Sequence, residues 1–76
     1  MNLREGGVYV LHGKELVSTR FAQGWALYNV ADWKNAAHAL PAYRVDGRGY
    51  LVRSGGVPTP FNIGDLVDTG RTLPRQ

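Results

Sequence analysis

The residues best suited to chemistry crowd into twelve positions, AYRVDGRGYLVR at 42–53. Arg44, Arg48 and Arg53 carry guanidinium groups, whose planar fork binds carboxylate or phosphate through paired hydrogen bonds. Tyr43 and Tyr50 lie among them. Such rings, where exposed, stack on unpaired bases or anchor a protein interface. The other reactive types are scattered. His12 and His38 are the only histidines and there is no cysteine, so the chain offers no local set of metal ligands. Asp65 and Asp68 lack the further oxygens that calcium or magnesium requires. Ser18 and Ser54 stand in no nucleophile elbow and beside no base. Gly55-Gly56 lacks the glycine spacing and the lysine of a phosphate-binding loop. The pattern points to binding without catalysis, with no metal and no cofactor. A small enzyme whose site is shared between subunits is the less favoured alternative.

Leu66-Val67-Asp68-Thr69-Gly70 resembles the active-site tripeptide of the pepsin-like and retroviral aspartic proteases, in which two apolar residues precede Asp-Thr-Gly. The resemblance implies that Asp68 is half of a water-activating aspartate pair, with a second copy of the chain supplying the other half. It covers five residues. In that family a long stretch of sheet and a second apolar-apolar-Gly element follow the motif, whereas six residues follow Gly70 here. Read locally, the segment is a turn, in which Asp and Thr bond neighbouring backbone and Gly takes positive φ.

Seventy-six residues imply one domain. A chain of this size buries only about 60% of its unfolded surface, so its core is small and association with a second copy would extend it. The net charge of +3 lies within ordinary solubility values, and permits a nucleic-acid partner without requiring one. The lack of cysteine points towards the cytoplasm. The apolar run at 8–11 is too short for a signal peptide or a membrane span, so no membrane role is expected. Residues 1–5 and 70–76 read as loose termini.

The elements that must position the arginines follow from periodicity. Residues 8–11 and 16–21 form a hairpin around a loop at 12–15, with Val8, Val10, Val17 and Thr19 on one face and Tyr9, Leu11, Leu16 and Ser18 on the other. Residues 25–30 form a third strand. Trp33, Ala36, Ala37 and Leu40 fall at helical spacing, so the spacing predicts a short helix that starts at Asp32 and stops before Pro41. Two turns cannot persist alone, so Trp33 and Leu40 should dock on the sheet. Asp46-Gly47 predicts a second hairpin closed by a type I′ turn. A two- or four-residue loop there places Tyr43, Val45, Tyr50 and Val52 on one wholly apolar face, and Arg44, Leu51 and Arg53 on the other. A three-residue loop would mix Arg53 with Tyr43 and Val45, so parity favours the even loops. Residues 54–60 read as loop. Residues 61–67 read either as a helical turn capped by Asn62 with Asp65 three residues later, or as an edge strand broken at Gly64.

The expected fold class is α+β: an antiparallel sheet of about five strands, two hairpins among them, with one short helix on a face. A small SH3-like β-barrel is the alternative. The expected function is a non-enzymatic interaction module using Arg44, Arg48, Leu51 and Arg53. Its partner is another protein or a second copy of the chain as a homodimer, with nucleic acid as the alternative.

Overall fold

The computed structural model describes residues 2–22 and 24–74. Seven strands are present: β1 (Gly7–Leu11), β2 (Lys14–Phe21), β3 (Gly24–Asn29), β4 (Tyr43–Val45), β5 (Tyr50–Arg53), β6 (Val57–Asn62) and β7 (Val67–Thr72). They form one antiparallel sheet in the order β6-β5-β4-β3-β2-β1-β7. The first six strands meander, and β7 returns to pair with β1. A flat sheet of seven strands would be about 29 Å wide and one layer thick. The chain instead measures 28 × 25 × 23 Å, so the sheet is strongly curled. The His12 ring, in the first turn, lies 4.7 Å from that of Phe61 in β6, which places distant strands close together.

Curling gives the sheet two cores. Tyr9, Leu11, Leu16, Leu27, Tyr43, Leu51 and Leu66 fill the concave side, with Leu3, Phe61 and Ile63 packed against them. Val8, Val17, Ala26, Tyr28 and Trp33 form a second cluster on the convex side. The first hairpin feeds both. Its loop is two residues, His12 and Gly13, at φ 49° and 81°, and it aligns Val8 with Val17 and Tyr9 with Leu16. The expected loop was two residues longer. A two-residue difference preserves parity, so the faces are those read from the sequence.

The α+β expectation is corrected: among the described residues there is no α-helix. Residues 30–35 form a 3₁₀ turn that starts directly from β3, and the Asn29 side chain makes no capping bond there. Tertiary contacts decide this segment. The Trp33 indole N–H donates to the Pro74 carbonyl at 2.8 Å, and its ring meets Tyr28 edge-on with centroids 6.3 Å apart. Ala36 and Ala39 join the same cluster. Leu40, expected to dock with Trp33, is 78% exposed. Two helical turns bounded by Pro41 repay too little of the nucleation cost to hold the helical period.

Two further stretches differ from expectation. Residues 57–60, read as loop, belong to β6, where Pro58 and Pro60 are tolerated because the strand is an edge. Residues 67–72, read as the turn through Gly70 and the start of a loose terminus, form β7. Between them both readings of 61–67 meet: the strand ends at Asn62, and a 3₁₀ turn follows with the Asn62/Asp65 capping box formed. The strand order leaves β6 and β7 as free edges, so the sheet is open rather than a closed barrel. Each edge is blunted, β6 by its prolines and β7 by Gly70 at φ 80°.

The ends are tied, not loose, over residues 4–6 and 68–74. The Arg4 guanidinium donates to Thr72 Oγ1 at 2.9 Å, to Asp68 Oδ2 at 2.7 Å and to the Arg71 carbonyl. Gly6 donates its N–H to the Ser18 carbonyl and accepts from the Leu73 N–H, both at 2.8 Å. Residues 1, 75 and 76 of the expected termini lie outside the described residues.

Candidate functional site

The second hairpin decides which side chains reach the surface. Positive φ falls at Gly49 (85°) and not at Gly47. The Asp46 carbonyl accepts from the Gly49 N–H at 3.0 Å, and the Asp46 N–H donates to the Tyr50 carbonyl at 2.9 Å. Asp46 Oδ1 also accepts from the N–H groups of Arg48 and Tyr50, at 2.8 and 2.9 Å. This is a type I turn followed by a left-handed glycine, a three-residue loop. It sets Tyr43 opposite Arg53, Arg44 opposite Val52 and Val45 opposite Leu51.

The odd loop reverses the face assignment read from parity. Leu51 is fully buried in the concave core, and so leaves the set of surface residues. Tyr43 stays buried, whereas Tyr50 emerges at 40% exposure. Arg44 lies on the convex face, Arg48 on the loop, and Arg53 beside Tyr43 at the end of β5. Arg44 and Arg53 project from opposite faces, but both residues border one groove of about 370 Å³ on the convex side, which Asp46 also lines. Its apolar lining comes from Phe21, Leu40, Pro41 and Val52. Phe21 and Leu40 were missed as surface residues. The place of Phe21 at the end of its run, directly before Ala22-Gln23-Gly24, was the available sign for the first; nothing local marked the second.

Charge is segregated around this site. Arg4 pairs with Asp68 at 2.7 Å and Arg71 with Glu15 at 3.4 Å. Asp65 is held in its capping box and Asp46 in its turn. Among the described residues, Arg20, Arg44, Arg48 and Arg53 make no ion pair. Each lies over a ring instead: Arg20 on Trp25 at 4.7 Å, Arg44 on Phe21 at 4.8 Å, Arg48 on Tyr50 at 5.6 Å and Arg53 on Tyr43 at 5.9 Å. Such contacts hold the guanidinium while leaving its N–H groups available to an anion.

The Asp-Thr-Gly segment does local work. Asp68 accepts from Arg4 and, through Oδ1, from the Gly70 N–H at 2.8 Å, while Thr69 Oγ1 donates to the Val8 carbonyl. The local bonds and the positive φ of Gly70 are those of the turn reading, but the segment lies in strand β7, at the register shift against β1, and is not a turn. No cluster of three metal-ligating side chains occurs among the described residues.

Two carboxyls carry a pH dependence. Asp46 is held below the usual carboxylate range by the Tyr50 and then the Arg48 N–H, and Asp68 by Arg4 and then the Gly70 N–H. A depressed folded-state pKa contributes stability above the unfolded-state value, which is lost as pH falls through the folded-state value. Chemical denaturation should give a stability that is flat near neutrality and declines below about pH 4. Asp46→Asn should make the acid limb shallower. A stability that rises on acidification would contradict this assignment.

The fold and site together define a small all-β protein with an arginine-bordered apolar groove. Compared with protein-family models, curated proteins and solved structures, the chain matches none. No helix among the described residues is long and apolar enough to cross a membrane.

Proposed function

We propose that this protein is a non-enzymatic binding module whose convex groove takes a short apolar segment of a partner protein with acidic residues beside it. The observation that carries the reading is the combination at one place of an apolar lining and the Arg44 guanidinium, which lies over the lining residue Phe21 and has no carboxylate partner, with Arg53 at the groove's border. The apolar part supplies affinity by burial, and the arginines select acidic flanks and fix register. A second copy of the chain is the poorer fit. It also carries +3, and its Glu15, Asp46, Asp65 and Asp68 are already engaged. Edge-to-edge pairing is opposed by the prolines of β6 and the glycine of β7.

The test is selection of short peptides from a random displayed library on the immobilised protein, followed by titration of the selected peptides. Apolar sequences flanked by Asp or Glu are expected. Leu40→Ser removes exposed surface only, and should weaken them about tenfold or more. Arg44→Glu should weaken them further and reverse their charge preference. Selected peptides that bind both variants unchanged would overturn the reading. So would a dimer in light scattering that Leu40→Ser dissociates, since a second copy would then be the occupant.

A further inference from the structure

We propose that the loop end of the sheet, where the β2–β3 turn meets the tip of the β4–β5 hairpin, is a second binding surface, for single-stranded nucleic acid. Three guanidinium–ring pairs lie there: Arg20 on Trp25, Arg44 on Phe21 and Arg48 on Tyr50. The rings are accessible, with Phe21 at 39% and Tyr50 at 40% exposure and Trp25 half-buried. Two shallow recesses that share Trp25 join the first two pairs, and Gly47, next to Arg48 in the hairpin tip, borders the second recess. One, of about 350 Å³, is lined by Arg20, Trp25, Val45 and Ile63. The other, of about 230 Å³, is lined by Phe21, Trp25, Arg44 and Gly47. Exposed Tyr50 is a product of the three-residue loop, which turns it out of the core. The nearby acidic groups are engaged: Asp46 accepts from the Arg48 and Tyr50 N–H groups, and Glu5 from Thr19 Oγ1 and the Arg20 N–H.

Charges alternating with rings match the chemistry of an unpaired strand, whose phosphates meet guanidinium groups while its bases stack on aromatic or guanidinium planes. A duplex keeps its base faces hidden, so the rings favour single strands. An acidic polypeptide would use the charges and leave the rings idle. The Phe21–Arg44 pair also borders the groove, so the two surfaces touch. The residues that test this one, Arg48, Trp25 and Tyr50, do not line the groove.

The experiment is fluorescence anisotropy of labelled single- and double-stranded oligonucleotides, titrated with the full chain across a salt series. Three phosphate contacts give a slope of log affinity against log salt of about −2, or about a fifteenfold loss between about 50 and 200 mM salt. Arg48→Ala should reduce the slope by about 0.7. Tyr50→Ala and Trp25→Ala should weaken binding by about fivefold or more with the slope unchanged, because stacking carries no counterion. Tyr50 and Arg48 are exposed, so their variants remain informative if Trp25→Ala unfolds. Leu40→Ser should leave oligonucleotide binding intact, which separates this surface from the groove. The assignment is overturned by absence of binding at low salt, by duplex bound as tightly as single strand, by polyglutamate competing as well as unlabelled oligonucleotide, or by loss of binding in Leu40→Ser.

Discussion

Leu51→Ala is expected to have the largest effect of any single substitution on the stability of this protein. Leu51 is 0% exposed and packs among Tyr9, Leu11, Leu16, Leu27, Tyr43 and Leu66. Truncating a fully buried leucine costs about 2–5 kcal/mol through lost transfer energy and an unfilled cavity. A chain of this length holds roughly 4–11 kcal/mol in all. The denaturation midpoint should therefore fall by about a fifth at least, and at the upper end of that cost the variant should be unfolded at room temperature. The same substitution at Leu40, 78% exposed, should change stability by about 0.5 kcal/mol or less. The pair also tests the hairpin register directly. Had the loop been even, Leu51 would lie on the face away from Tyr43, and its removal would resemble that of Leu40. An unchanged midpoint for Leu51→Ala would rule out the three-residue loop.

Gly6→Ala should have the second largest effect, and a local one. Gly6 has φ 75°, which costs an alanine about 1–2 kcal/mol, and a Cβ there would run into the Leu73 carbonyl oxygen. Relief of that collision displaces Leu73, whose N–H donates to the Gly6 carbonyl, at a further cost of about 1 kcal/mol. A total of about 2–3 kcal/mol follows from these two sources. The damage should centre on the joint between the first residues and β7. Hydrogen exchange should show β7 amides losing protection before those of β2 and β3. Gly13→Ala is the contrast: φ is 81°, but nothing lies within 4 Å of a Cβ, so only the backbone cost applies. If β7 protection in Gly6→Ala matches the parent chain, the Gly6–Leu73 contact does not hold β7.

Much of the sheet was legible in the chain. Alternation in residues 8–11, 16–21 and 25–30 marked β1 to β3, and it assigned both faces of the first hairpin correctly because each face is buried. The pair Asn62 and Asp65 marked a capped turn that is present. The bond from Asp68 to neighbouring backbone was legible too, though the segment that carries it is a strand and not a turn. Two features were hidden because local signals competed. Asp46-Gly47 favours a type I′ turn, but Gly49 two residues later offers a left-handed site that places Leu51 rather than Tyr50 in the core. Trp33 and Leu40 share a helical stripe, but only Trp33 finds a partner, in Tyr28 and the Pro74 carbonyl. β6 and β7 were obscured by the residues that protect free edges, two prolines and a glycine, which read locally as loop.

The sequence by itself determined that this is one small cysteine-free domain, built on hairpins, with two apolar faces and a surplus of arginine. Those properties depend on composition and on the two-residue pleat, which are local. Only the tertiary structure decided which arginines are free, which tyrosine is exposed and where the groove lies. Those depend on the parity of one loop and on pairings such as Arg4 with Asp68, across 64 positions of chain. A one-residue change in loop length moves every following side chain to the opposite face at almost no local cost. The choice is therefore made by the core that Leu51 completes.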